Sequence, residues 1–168
     1  MHLLSVTIET ILIPHKRAEL LDAKAIKALS EHLKCKITMD DNQVTLEGEA
    51  YDEFNARNVI TAFGRGFELD KAYKLLNEDY YLRQINLKDI LRSREQIIRV
   101  KARIIGTEGK AKEYMESVSG ADIAVFGSNI SIIGKIDDIR AAEAAIKILV
   151  GGGTHRTAYK IMEKEKSK

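Results

Sequence analysis

Gly106-Thr107-Glu108-Gly109 sets two glycines three positions apart. That spacing lets a backbone turn tightly and lets a phosphodiester approach with no Cβ in the way. A helical pattern opens at Lys110, so free N–H groups and the positive end of a helix dipole point into the loop. Arg99, Lys101, Arg103, Lys110 and Lys112 surround it, five cations against the single anion Glu108 between positions 99 and 112. Such a stretch favours a polyanion. A plain helix–turn–helix also uses glycines, so the meaning of the motif depends on the elements that hold it.

Little else in the chain offers chemistry. His2, His15, His32 and His155 are scattered, without metal-ligand spacing such as H-E-x-x-H. The pairs Asp40-Asp41 and Asp137-Asp138 fall at a turn and a helix start, where structure already favours them. No G-x-S-x-G or comparable nucleophile motif occurs. Gly151-Gly152-Gly153 lacks the G-K-[ST] ending of a P-loop and reads as a hinge. Cys35 is the one cysteine, which excludes an intramolecular disulfide and a Cys-rich zinc site. Between Lys34 and Lys36 it reads as a small residue entering a strand. The expectation is a binding protein without catalysis, metal or cofactor. One cysteine also suggests a reduced, cytoplasmic setting. Residues 1–7 lack the basic region and apolar core of a signal peptide. No apolar run approaches the roughly 20 residues of a membrane span, so no membrane partner is expected.

The elements that must position the loop are legible from periodicity. Leu4, Val6 and Ile8 alternate with Ser5, Thr7 and Glu9, the period of a half-buried strand. Pro14 breaks the pattern before helical spacing over 16–34, where two short helices meet near Asp22-Ala23. Residues 36–39 and 44–47 read as strands around the turn Asp40-Asp41-Asn42. Residues 51–63 return to helical period and Gly64-Arg65-Gly66 closes it. A further helix over 69–77 leads to an apolar segment at 82–87, and the order then recurs. Strand 84–87, helix 95–105, the glycine loop and helix 110–119 are followed by strands 123–126 and 129–133 and by helix 139–150. Cys35-Lys36-Ile37-Thr38 matches Ala121-Asp122-Ile123-Ala124 in place, and Val44-Thr45-Leu46-Glu47-Gly48 matches Ile130-Ser131-Ile132-Ile133-Gly134. Two βααββα orders in one chain make an internal duplication of class α+β.

The duplication explains the charge. The 27 basic and 25 acidic side chains give a net charge of +2. Residues 1–84 hold 11 basic and 14 acidic side chains, whereas residues 85–168 hold 16 and 11. The basic half is the half with the glycine loop.

With those residues in place, Arg103-Ile104-Ile105-Gly106-Thr107-Glu108-Gly109-Lys110-Ala111-Lys112 resembles the core of a type I KH domain, whose G-x-x-G loop clamps the backbone of four single-stranded nucleotides. The resemblance extends to tandem KH proteins of one family, the archaeal small-subunit ribosome biogenesis factors homologous to the eukaryotic "partner of Nob" protein. It runs through Ala62-Phe63-Gly64-Arg65-Gly66-Phe67-Glu68, Lys71-Ala72-Tyr73-Lys74-Leu75-Leu76 and Gly151-Gly152-Gly153-Thr154-His155-Arg156-Thr157-Ala158-Tyr159. It covers almost the whole chain. It implies a degenerate KH domain over 1–80, a loop-bearing KH domain over 81–153 and a basic, helical tail over 154–168. Implied partners are single-stranded rRNA from the 3′ region of the small-subunit precursor, the Nob-type endonuclease and proteins of the pre-ribosomal particle. In that family the first domain often loses its loop, and Leu20-Leu21-Asp22-Ala23-Lys24-Ala25 contains no glycine. The first domain is accordingly expected to act as a scaffold or protein contact.

The candidate RNA-binding residues are Arg103, Ile105, Gly106, Thr107, Glu108, Gly109, Lys110, Ala111, Lys112, Tyr114, His155 and Arg156. The family's loop usually carries a cation between its glycines, so Glu108 departs from it. An exposed like charge opposes a phosphate by roughly a few tenths to one kcal/mol. KH grooves seat bases on apolar side chains, which points to Ile104, Ile105, Ala111, Met115 and residues 123–125. Most of these serve the core, and Ile105 and Ala111 are those expected to touch RNA. Tyr114 is a candidate to stack on a base. His155, Arg156, Tyr159 and Lys160 share a helix face, and 164–168 reads as a solvated end. Two competing readings are a protein–protein scaffold with a vestigial groove and a related rRNA-assembly KH factor.

Overall fold

Alternation in the first segment produces β1 (Val6–Leu12), and Pro14 precedes the short α1 (His15–Ala18). The computed structural model describes residues 5–168, so Leu4 of the expected strand lies outside the described residues. Then follow α2 (Ala23–Leu33), β2 (Lys36–Asp40), β3 (Gln43–Glu49), α3 (Ala50–Gly64) and α4 (Leu69–Ala72), which runs into a 3-10 turn at Tyr73–Leu76. The second series is β4 (Tyr81–Asn86), a 3-10 turn at Leu87–Asp89, α5 (Arg94–Ile105), α6 (Lys110–Ser119), β5 (Asp122–Phe126), β6 (Asn129–Gly134), α7 (Ile136–Val150) and α8 (His155–Lys166). The chain divides into two compact units, one ending at Leu76 and the other running Asn77–Lys168. Each carries a three-stranded antiparallel sheet with its third strand in the middle, β1-β3-β2 and β4-β6-β5.

Local chemistry sets the boundaries. Ser93 and Gln96 close a reciprocal capping box on α5, satisfying two otherwise orphaned N–H groups. Gly120, at φ 82°, ends α6 in the left-handed region that a glycine enters without a Cβ penalty. Asp137 and Asp138 lie in the first turn of α7, one turn earlier than the periodicity predicts. The core of the second unit gathers Ile104, Met115, Ile130, Ile132, Ile146 and Leu149. Each such side chain contributes roughly 1.5–3 kcal/mol on leaving water. Ala158 and Met162 of α8 join that core, so the basic segment after the glycine triplet is packed structure, while Lys164, Lys166 and Lys168 stay exposed.

The duplication has a fixed register. A shift of 86 positions carries α3 onto α7, Cys35 onto Ala121 and Gly48 onto Gly134. In both units the glycine of the middle strand faces the residue before the outer strand. A Cβ on Gly48 would lie 3.3 Å from Cys35 Sγ, and one on Gly134 would lie 3.2 Å from Ala121 Cβ. Only the first strands depart from this register. Thr7 pairs with Gly48 as Tyr81 pairs with Gly134, a shift of 74. The second unit therefore holds 12 more residues between its first strand and the end of its first helix, and they form the 3-10 turn and the extra turns of α5.

Candidate nucleic-acid interface

The glycine loop is shaped so that its two glycines have different jobs. Gly106 sits at φ 76°, ψ 174°, and a Cβ there would fall 2.5 Å from Ala111 Cβ and 2.7 Å from Ala111 N. Only glycine permits that approach of α5 to α6. Gly109 adopts the left-handed conformation at φ 75°, and a Cβ there would meet nothing within 4 Å. Open space faces the loop at this point. Glu108, between them, is also left-handed at φ 55°. No side chain caps α6. The 3-10 turn uses the Gly109 and Lys110 N–H groups on the Gly106 and Thr107 carbonyls, so the anion-favouring end of α6 rests on the N–H groups that follow and on the helix dipole. In the first unit the register places Leu20-Leu21-Asp22-Ala23 here, and Asp22 Oδ1 accepts the Ala25 N–H at 2.8 Å. A carboxylate already occupies the position a phosphate would need.

The cations divide into bound and free. Lys112 pairs with Glu116 at 3.0 Å, and the other Glu116 oxygen accepts the Ile123 N–H at 3.0 Å, so Lys112 leans toward the outer strand β5. Lys110 approaches Glu108 at 3.7 Å, both largely exposed. Arg103 turns inward, donating to the Leu149 carbonyl at 3.1 Å and to the Gly153 carbonyl. Among the described residues Arg99, Lys101 and Arg156 have no hydrogen bond or ion pair.

Ile104, Met115, Ile123 and Ala124 are buried in the core, and Ala111 is buried against Gly106, while Ile105 is half-buried at the loop's rim. A groove of about 650 Å³ runs between α5 and the β5–β6 turn, lined by Arg92, Ile97, Ile98, Lys101, Gly127 and Ser128 among others. Arg92, Ile97 and Ile98 were not among the candidates. For Ile98 the signal is helical phase: 94, 98, 101 and 105 share one face of α5, while 97, 100 and 104 turn toward the core and Arg92 precedes the helix. Much of this wall is the stretch by which the second unit exceeds the first.

α8 packs against the opposite side. His155 Nε2–H donates to the Arg103 carbonyl at 2.8 Å, since a carbonyl can only accept. The Tyr159 ring lies 5.9 Å from the His155 ring and 4.4 Å from the Tyr114 ring. Tyr114 donates to Glu163 at 2.7 Å, and that bond pushes its hydroxyl pKa up. One face of Tyr114 is therefore taken by Tyr159, at the junction of α6 and α8. The structure brings Gly106 to Lys112 together with Ile105, and sets Tyr114, His155 and Arg156 on the α8 side. Among the described residues no group of three or more His, Cys, Asp or Glu side chains is placed to hold a metal, and no helix is long and apolar enough to cross a membrane.

Comparison with known proteins agrees with the resemblance read from the sequence. The family model of the eukaryotic-type KH domain (KH domain type I), in the form of the Pno1 second domain, matches residues 81–167. A KH domain-containing protein of Methanocaldococcus jannaschii is 34% identical, over 96% of this chain and 75% of its own length. The pre-rRNA-processing protein Pno1 of Chaetomium thermophilum is 30% identical, over 88% of this chain and 61% of its own. The chain thus spans three quarters of the archaeal relative and about three fifths of the fungal one. Among solved structures, a chain in the a/eIF2alpha–aDim2p–rRNA complex of Pyrococcus horikoshii is similar at 34% identity and TM-score 0.87, with 96% of this chain and 95% of that chain covered. Dim2p of the same organism is similar at TM-score 0.85 and 34% identity, covering 94% and 99%. The expected fold, with its two βααββα units, is the fold observed.

Proposed function

The chain belongs to the Pno1/Dim2 family of KH-domain pre-rRNA-processing proteins, and on that premise we propose that it binds single-stranded rRNA through its second unit. The observation that carries this reading is the uncapped N-terminus of α6 behind a glycine that opens onto free space. The backbone of Gly106 to Lys110 clamps phosphates, and Lys110, Thr107 and Lys112 frame them. Ile98 and Lys101 line the adjacent groove, where bases stack and offer their edges, and Ile105 meets them at the loop's rim. Arg103 and Tyr114 shape the site from behind, since their polar atoms are spent on protein groups. The protein acts by positioning RNA rather than by catalysis.

The target within this reading is the 3′ region of the small-subunit rRNA precursor. The first unit, whose loop position is filled by Asp22, serves as the contact for proteins, a Nob-type endonuclease and other pre-ribosomal proteins among them. Support comes from the pre-rRNA-processing relatives and from a relative solved with rRNA and a/eIF2alpha. The second reading, a scaffold with a vestigial groove, draws on Glu108 between the glycines. Gly106→Asp with Gly109→Asp separates the two. Loss of binding to short single-stranded RNA, with capture of the endonuclease retained, supports the RNA clamp, and unchanged RNA affinity refutes it.

A further inference from the structure

Behind the glycine loop, on the side of α5 turned away from the base groove, lies an open cleft of about 490 Å³. Arg99 and Arg103 line it from α5, Thr107 and Lys110 from the loop and α6, and His155 from α8. No carboxylate is among its lining residues. The helical phase separates the two hollows: Ile97, Ile98 and Lys101 face the groove, while Arg99, Ala102 and Arg103 face the cleft.

Charge in the cleft is compensated only at Lys110, which Glu108 approaches at 3.7 Å from outside the lining. Arg103 gives its N–H groups to two neutral carbonyls, so its positive charge remains and forms a fixed floor. Arg99 is exposed and without a hydrogen bond or ion pair among the described residues, free to swing over that floor. Arg156, next to His155, is exposed and equally unengaged. The apolar part of its walls is made of alanine methyls and the stems of the long cations, with no large aliphatic side chain and no Phe, Tyr or Trp ring to seat a base. A concave, cationic, carboxylate-free surface continuous with the phosphate loop suits the sugar–phosphate backbone of nucleotides that have already crossed that loop.

We propose that this cleft is a second backbone-phosphate subsite, which takes the RNA strand onward from the glycine loop between α5 and the start of α8. The proposal rests on the reading of the loop as an RNA clamp. It makes the glycine loop a saddle the strand passes over, with bases read on one side and phosphates held on the other. Arg99 is the mobile cation of the subsite, and Arg103 with His155 fixes its geometry.

The experiment compares random-sequence single-stranded RNAs of four and of ten nucleotides by fluorescence anisotropy across a salt series, for the full chain and for Arg99→Glu and Arg99→Lys. Four nucleotides fill the groove and loop alone. The ten-mer should bind more tightly and with a steeper salt slope. Arg99→Glu should remove that advantage, lowering the slope by about 0.7–1.4, the loss of one or two phosphate contacts. Four-mer affinity should stay put, and Arg99→Lys should keep the advantage. A ten-mer unaffected by Arg99→Glu overturns the subsite, as does an equal loss for both lengths, which would place Arg99 in the groove. Gly106→Asp reports separately on the loop: four-mer binding that survives it refutes the clamp itself, whatever Arg99 does.

Discussion

Arg17 and Arg103 hold one position in the two units and do the same work there. Arg17 donates to the carbonyls of Phe63 and Phe67, 46 and 50 residues further on, at 2.9 and 2.7 Å. Arg103 donates to those of Leu149 and Gly153, again 46 and 50 residues on. Each guanidinium therefore satisfies carbonyls at the end of the unit's last KH helix, α3 or α7, where four C=O groups lack intrahelical partners. A basic residue three positions ahead of the glycine loop looks like a phosphate ligand. Its repetition in a unit whose loop is filled by Asp22 identifies it as a latch on the fold.

Removing the latch should cost stability in both units. Arg17→Met gives up two hydrogen bonds from a charged donor, each worth about 1.5–3 kcal/mol, and leaves the Phe63 carbonyl with the Gly66 N–H alone. Arg103→Met should destabilise the second unit similarly, while lowering affinity for a four-nucleotide RNA by no more than about fivefold, the scale of one screened charge. Urea denaturation with anisotropy at a denaturant-free endpoint measures both. A variant as stable as the parent would show that these bonds do not act as a latch.

The two glycines of the loop should respond unequally to alanine. At Gly106 a Cβ collides with Ala111 N and Cβ, and α5 and α6 must part to admit it. At Gly109 a Cβ meets nothing, so Gly109→Ala costs only the left-handed conformation, roughly 1 kcal/mol. Gly106→Ala should therefore lose more stability and nearly all RNA binding, whereas Gly109→Ala should fold almost as well and weaken binding partially. Equal thermal shifts would contradict the packing described for Gly106.

How much of this was legible beforehand depended on whether the signal was periodic or directional. The strands at 36–40 and 129–134, the helix break at Asp22-Ala23 and the stop at Gly120 follow from alternation and from residues with special backbone freedom. At Arg103 the sequence points to a phosphate ligand, because a cation in a basic stretch carries no mark of where its long side chain points. Tyr114 reads as a base-stacking candidate as long as residues 154–168 read as a tail. Ala158 and Met162, four apart, are the sequence sign that α8 has a buried face and covers that ring. The groove wall at Ile97 and Ile98 escaped because the extra residues of the second unit carry no motif of their own.

Cys35 should behave as a structural residue. It is 4% exposed, its Sγ–H donates to the Glu47 carbonyl at 3.4 Å, and burial raises the thiol's pKa. A raised pKa leaves less thiolate near neutral pH, and the thiolate is the nucleophile. The native protein should react with a thiol-specific disulfide reagent far more slowly than the urea-unfolded chain, with the rate rising as pH climbs above 9. The sign for stability is the matching one: the protonated thiol is the form the fold favours, so its contribution is complete at lower pH and is lost as pH rises through the elevated pKa. Rapid labelling of the folded protein at pH 7 would show that the site opens.

If the loop clamps RNA as proposed, Glu108 makes it a weaker clamp than its backbone geometry allows. Its carboxylate is largely exposed, 3.7 Å from Lys110 Nζ, and it partly neutralises the cation best placed to meet a phosphate. Glu108→Gln should raise affinity for short single-stranded RNA by about two- to fivefold, corresponding to a few tenths to one kcal/mol for an exposed charge. Glu108→Lys should gain more and should also steepen the salt dependence, because a new cation beside the strand releases a further counterion, adding about 0.7 to the slope. The left-handed backbone at Glu108 is already strained for any side chain, so neither exchange alters the folding cost much. Anisotropy titrations at 50 and 200 mM salt suffice. If both variants bind no better than the parent, the phosphates do not pass within reach of this residue, and the strand's path over the loop must be redrawn.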